Sequence, residues 1–172
     1  FMLLRALRAI EAGIDDPLGA GAGALARAFA ESNAVRAAEL ADPEFGGKTG
    51  EELISMTAPA HPLPGRPKPS GDTVGLSAVS ADGWAISLIN SVYYGFGAGI
   101  VEPNTGILFQ NRGTSFSLDP ASPNAFEPGK RPRHTLMPVL VLRGDELAWV
   151  PSTMGGSAQP QIHTQLILRS LA

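Results

Sequence analysis

The sequence predicts an α+β fold, on two observations. Apolar residues recur at helical spacing through the first third of the chain, and at a spacing of two after it. Between the two regimes lies a tether holding Pro59, Pro62, Pro64, Pro67 and Pro69. Proline fixes φ and donates no backbone hydrogen bond, so the tether cannot join the strand that follows it.

The helices come first. Residues 2–12 carry Leu3, Leu7 and Ile10 at three- and four-residue spacing, with Gly13 placed to end the helix. A second helix is expected over 23–40, with Leu25, Phe29, Val35 and Leu40 as its apolar stripe. Asp42-Pro43 stops it, because a residue before proline is pushed out of the helical region. Thr49-Gly50-Glu51-Glu52 has the form of a capping box and starts a short third helix behind it.

The strands follow. Val74–Ser80 and Trp84–Ile89 read as a hairpin around Ala81-Asp82-Gly83. Gly95-Phe96-Gly97-Ala98-Gly99 lacks the lysine and the helix of a phosphate loop and reads as a tight turn. A weaker hairpin pairs Ile100–Val101 with Ile107–Phe109. Gln110–Arg133 is long, polar and without period, the mark of a functional or mobile loop. Leu136–Leu142 is apolar on both faces and is expected as a buried central strand, paired with Glu146–Val150. A small-residue loop, Ser152–Ser157, leads into a last helix from about Ala158.

Composition narrows the function. The 172 residues are 44% hydrophobic and 17% charged, which suits a globular chain with a core. A net charge of −3 gives no basic footprint, so no nucleic-acid partner is expected. No apolar run approaches the roughly 20 residues that span a bilayer, and no membrane partner is expected. Without cysteine there is neither a disulfide nor thiolate chemistry. His61, His134 and His163 lack metal-ligand spacing, so neither a metal nor a cofactor is expected. The chain opens at Phe1 directly into a helix and stops at Ala172 inside an apolar pattern, so it reads as a piece of a larger chain. The compartment stays open, with the cytoplasm favoured and an upstream signal peptide allowed.

Two features remain for chemistry. Thr73 stands at a strand start directly after the tether, and Gly155-Gly156 stands between a strand and a helix. Taken alone, each has a plain structural meaning: a tether meeting a sheet, and a turn. A chemical meaning is also available. A threonine hydroxyl needs a base within reach, and if the chain is cut before Thr73 its new α-amino group, with a reference pKa of about 7.7–8.0, is that base. Glycines before a helix let backbone N–H groups approach a developing oxyanion.

The order of motifs then resembles the γ-glutamyltransferase family of N-terminal-nucleophile hydrolases. The matching stretches are Asp72-Thr73, Ser77–Gly83, Phe96–Ile100, Gly106-Ile107-Leu108, Gly129-Lys130-Arg131-Pro132 and Met154-Gly155-Gly156-Ser157. Thr73–Ala172 matches closely, and the helical part with Asp42-Pro43-Glu44-Phe45 more loosely. The resemblance implies a four-layer αββα sandwich and self-cleavage between Asp72 and Thr73. Residues 1–72 would then end a large subunit, and 73–172 would begin a small catalytic one. It implies Thr73 as nucleophile, Ser91 as the assisting hydroxyl, and Gly155 and Gly156 as the oxyanion pair. Large-subunit residues upstream of Phe1 would help complete the pocket, and a homo-oligomer is left open.

The departures bear on the substrate. Tyr93 stands where glutamyl-specific members have asparagine, Ser115 where they have the aspartate that grips the α-ammonium, and His134-Thr135 where they have a serine pair. An ammonium without its acid in a buried pocket is costly, which points away from a γ-glutamyl substrate. Asn111–Pro120 with His134–Pro138 looks like the oxamate-amidohydrolase-like branch, which hydrolyses small acid amides. Arg112 and His134 would hold the small carboxylate, while Arg131 braces its loop. The expected function is hydrolysis or acyl transfer on a small-molecule amide through an acyl-enzyme. A true γ-glutamyltransferase and an unprocessed, non-catalytic member are the alternatives.

Overall fold

The computed structural model describes residues 1–59 and 73–171. They fall into two compact units. The first takes the N-terminal helices together with Ser115–Arg133 and the chain end from Leu168; the second takes the described residues up to Thr114 and His134–Ile167.

In the first unit, α1 (Met2–Glu11), α2 (Ala22–Glu39) and α3 (Gly50–Ser55) pack together. Their core is Ala6, Leu25 and Phe29, with Ile10 and Leu168 against it. The stripe expected on α2 buries Leu25, Phe29 and Val35, while Leu40 is only half-covered. Ser32, one turn after Phe29, is buried as well; it donates to the Ala28 carbonyl and accepts from Arg5 Nε. The same arginine donates from Nη1 to the carbonyls of Leu53, Ile54 and Met56 at 2.8–2.9 Å. It thereby satisfies the orphan acceptors that the end of α3 leaves open. The start of α3 is the expected capping box: Glu52 N–H donates to Thr49 Oγ1 at 3.2 Å, and Thr49 N–H to Glu52 Oε2 at 2.7 Å.

The long polar segment is ordered by one side chain. Asn124, 2% exposed, donates to the Ser115 carbonyl at 2.8 Å and accepts from Arg133 N–H at 3.2 Å. Arg131 fastens the segment to the end of α2. Its backbone N–H, Nε and Nη2 all donate to the Asp42 carboxylate at 2.7–3.0 Å, and Nη2 also reaches Glu44 at 2.7 Å. The bracing role expected of Arg131 is what its contacts provide.

In the second unit, β1 (Thr73–Val79) and β2 (Ala85–Ser91) form the expected antiparallel hairpin, with Thr73 opposite Ser91 and Leu76 opposite Leu88. Ser80 N–H and the Trp84 carbonyl close the turn at 2.9 Å. The weaker hairpin is a single bridge, Val101 to Leu108. β3 (Val141–Arg143) and β4 (Glu146–Trp149) form a separate two-stranded sheet with a bulge at Val141/Leu142. α4 runs from Gln159 to Leu171, close to its expected start.

The central-strand expectation is corrected here. Only Val141–Arg143 of the apolar run is strand, and Leu140 and Leu142 are 50% and 59% exposed. The run spends its N–H groups elsewhere. Met137 N–H donates to Gln159 Oε1 at 3.1 Å, Pro138 has none, and Val139 N–H donates to Ser87 Oγ at 3.1 Å. Apolarity on both faces does not make a ladder when side chains take the donors.

The three Arg131 donors hold the Asp42 carboxyl far below the ordinary carboxylate range: the side-chain bond is the main cause, the backbone bond the next. A depressed folded pKa means stability that is present above the unfolded value of about 3.9 and lost as pH falls through the folded one. Asp42→Asn should therefore lower Tm by several degrees at pH 7. The gap from wild type should narrow progressively below about pH 4. Thermal melts across pH 3–7 check this, and a gap that widens on acidification would contradict it.

Candidate active site

The hairpin register sets the first feature. Because Thr73 pairs with Ser91, their side chains lie on one face, and Thr73 Oγ1 donates to Ser91 Oγ at 3.0 Å. Ser91 Oγ also accepts the Tyr93 N–H at 3.0 Å. That second bond goes with a tight turn in which Tyr93 takes φ +81°, an uncommon conformation for a side chain with a Cβ. Asn111 holds the far side of the turn. It accepts from Tyr94 N–H at 3.0 Å and donates to the carbonyls of Tyr94 and Gly97 at 3.1 and 2.8 Å.

The second feature is basic. The Arg112 guanidinium lies 3.6 Å from the centre of the Tyr93 ring, a cation–π stack. Desolvation pulls the arginine's pKa down, and Tyr93 and Tyr94 oppose that pull. His134 is pushed below the ordinary histidine value, first by desolvation and then by the charge of Arg112. Its Nδ1 accepts from Leu136 N–H at 3.2 Å, which puts the proton of the neutral ring on Nε2.

The third feature is the glycine pair. Gly155 and Gly156 have φ of +133° and +54°, and a 3₁₀ turn, Gly156–Ala158, runs from them into α4. This loop is held near β1 by a close approach. A Cβ on Gly75 would lie 2.5 Å from Ser152 Oγ and 2.9 Å from Thr153 N. Only glycine lets β1 run this close to the loop leading to Gly155.

The second unit therefore holds Thr73, Ser91, Tyr93, Arg112, His134, Thr135, Gly155 and Gly156. Ser115 lies in the first unit, where its hydroxyl donates to the Arg133 carbonyl at 2.8 Å. The predicted cut involves Asp72, which lies outside the described residues. Among the described residues no group of three or more His, Asp or Glu side chains is arranged to hold a metal ion. Gly75 and Asn111 are structural supports of this region whose roles the sequence did not signal. A glycine inside a strand pattern is only a weak hint of the first; nothing local marks the second.

The family described as Gamma-glutamyltranspeptidase matches residues 21–172. The chain belongs to the γ-glutamyltranspeptidase family. A Glutathione hydrolase-like proenzyme of Bacillus subtilis is 40% identical over 132 residues, covering 77% of this chain and 24% of that protein. The Oxamate amidohydrolase proenzyme of Klebsiella pneumoniae is 40% identical over 154 residues, covering 83% of this chain and 28% of that one. Among solved structures, the cephalosporin acylase of Bacillus halodurans superposes with a TM-score of 0.77 at 28% identity, covering 99% of this chain and 33% of its own. The chain thus spans about a quarter to a third of these relatives. The γ-glutamyltranspeptidase assignment, and the N-terminal-nucleophile hydrolase class within α+β, are as the motifs implied.

Gly75→Ala should destabilise the chain by roughly 1–3 kcal/mol through overpacking against Ser152 and Thr153. Urea unfolding of the variant measures it; wild-type stability would mean that the strand and loop are not in the contact described.

Proposed function

We propose that this chain carries the nucleophile half of a self-processing threonine amidohydrolase, and that its substrate is a small acid amide such as oxamate. The observation that carries the reading is the Thr73–Ser91 hydroxyl pair, 3.0 Å apart at the mouth of the hairpin, in a chain of this family. The names of the relatives, both proenzymes, support processing.

In this reading the bond between Asp72 and Thr73 is cut, residues through Asp72 end the large subunit, and Thr73 begins the small one. The freed α-amino group takes the proton of Oγ1, and Oγ1 attacks the amide carbon. The oxyanion is met by backbone N–H groups at Gly155 and Gly156. The C–N bond breaks, the amine or ammonia leaves with the proton, and an ester on Thr73 remains. Water adds to that ester and releases the acid. Ser91, oriented by the Tyr93 N–H, keeps Oγ1 in one rotamer during both attacks.

The carboxylate of the substrate is assigned to Arg112 and to Nε2–H of His134, with Tyr93 holding the guanidinium flat beneath it and Thr135 beside the histidine. Ser115 brings no negative charge to meet an α-ammonium, and its hydroxyl is already engaged with Arg133. These features favour an anion over a glutamyl zwitterion. The glutamyl reading rests on the description of the family and on the names of relatives such as the Glutathione hydrolase-like proenzyme of Bacillus subtilis.

Intact mass and turnover separate these outcomes. Thr73→Ala should give an uncut, inactive chain, and Thr73→Ser should keep part of both cleavage and activity. Arg112→Gln should raise KM for oxamate by about ten- to a hundredfold, since a charge-assisted bond is lost. Preferred turnover of a γ-glutamyl anilide over oxamate would establish the glutamyl reading instead. An uncut wild-type chain with no turnover of either would make it a non-catalytic member.

A further inference from the structure

The mechanism just described leaves a buried polar cluster unused. Gln159 and His163 lie one turn apart on α4, and both are fully buried at 0% exposure. Gln159 Oε1 accepts the Met137 N–H at 3.1 Å, while its Nε2 has no partner among the described residues. His163 is pushed down by burial, and the Met137 backbone opposes this. Neither of its ring nitrogens forms a hydrogen bond of good geometry. Buried amides and imidazoles are expensive to keep in a helix that could carry leucine at these positions.

Their place explains the cost. Gln159 opens α4 directly after the 3₁₀ turn of Gly156–Ala158. Met137 follows His134-Thr135 by two residues and lies in the part of the apolar run that precedes β3 and forms no ladder. One bond therefore joins the turn after the glycine loop to the segment that follows His134. Gly155 and Gly156 have no cap side chain of their own, and Gly155 offers only its carbonyl to Ala158 N–H at 2.9 Å. Gly75 holds the loop on its N-terminal side through Ser152 and Thr153, and the turn after the glycines supplies its anchor on the other side.

We propose that Gln159 is a positioning residue: its bond to Met137 sets the distance between the oxyanion donors of Gly155-Gly156 and the carboxylate-binding side at His134. His163 is the wall that keeps the amide from rotating. This rests on the threonine-amidohydrolase reading above. The tie acts on the transition state, because a tetrahedral oxyanion needs donors about 3 Å from where it forms, whereas the ground-state carboxylate needs only His134 and Arg112.

The test is steady-state hydrolysis of oxamate by the full-length, processed protein. Gln159→Met keeps the volume and removes the acceptor. It should lower kcat about ten- to a hundredfold with KM within about twofold. Gln159→Glu keeps an oxygen acceptor and should recover part of that kcat. Met137→Pro removes the same bond from the other side and should match Gln159→Met, and the double variant should be no worse than either single one. Unchanged kcat in folded Gln159→Met, or a rise in KM alone, would overturn the proposal. So would additive losses, or failure of both single variants to fold, since the tie would then serve stability. Thr73→Ala, run in parallel, keeps the two claims apart. If it retains turnover, the parent reading falls. If it is dead while Gln159→Met is normal, only the positioning role falls.

Discussion

An antiparallel ladder gives a sequence little freedom once its register is chosen, and here the register of β1 with β2 places a threonine hydroxyl 3.0 Å from a serine hydroxyl. A slip of one residue would turn Thr73 to the opposite face and put Val74 in its place. The turn after β2 depends on the same pair. Ser91 Oγ takes both the Thr73 hydroxyl and the Tyr93 N–H, so the strained backbone at Tyr93 and the rotamer of Thr73 are held by one atom. Gly75 carries the constraint further, because the strand that begins with Thr73 must also touch Ser152 and Thr153. β1, the aromatic turn and the glycine loop are thereby fixed to one another by three local contacts.

The second unit does this with very little sheet. Among the described residues its two ladders are both two-stranded, and such pairs are weak by themselves. The loops are instead held by side chains that accept or donate backbone hydrogen bonds: Ser87 for Val139, Gln159 for Met137, Asn111 for Tyr94 and Gly97. Side-chain acceptors can aim a segment where a ladder cannot, since they impose no pairing on its neighbours. The exchange is a surface left apolar. Val74, Leu76, Ile86 and Leu88 share one face of the hairpin and are 41–56% exposed.

What the sequence revealed follows the range of each interaction. The capping box of Thr49 and Glu52, the helix stop at Asp42-Pro43 and the hairpin at Asp82-Gly83 are settled within four residues, and all were legible. The Thr73–Ser91 pair was legible through the family's order of motifs, not through local pattern. Gly75, Asn111 and Gln159 were not, because each is defined by a partner 14 to 78 residues away. The missed central strand shares this cause. Met137–Leu142 has the composition of a ladder, and only the distant oxygens of Ser87 and Gln159 reveal that its donors are already taken.

Electrostatics separates the chemistry of attack from the choice of substrate. Thr73 and Ser91 are neutral hydroxyls, and nothing about their pairing depends on what the acyl group carries. Arg112 and His134 behave differently. Among the described residues no carboxylate forms an ion pair with Arg112, and its charge is met by the side chains of Tyr93 and Tyr94. That charge in turn lowers the basicity of His134, which favours a neutral ring with its remaining N–H on Nε2. A partly desolvated cation beside a neutral donor is stabilised by an incoming anion, and both groups gain from the same carboxylate. An incoming ammonium would meet repulsion from Arg112 and no acid in this unit's cluster to offset it. On the proposed function, the choice of substrate would rest with Tyr93, Arg112 and His134 and not with the hydroxyl pair.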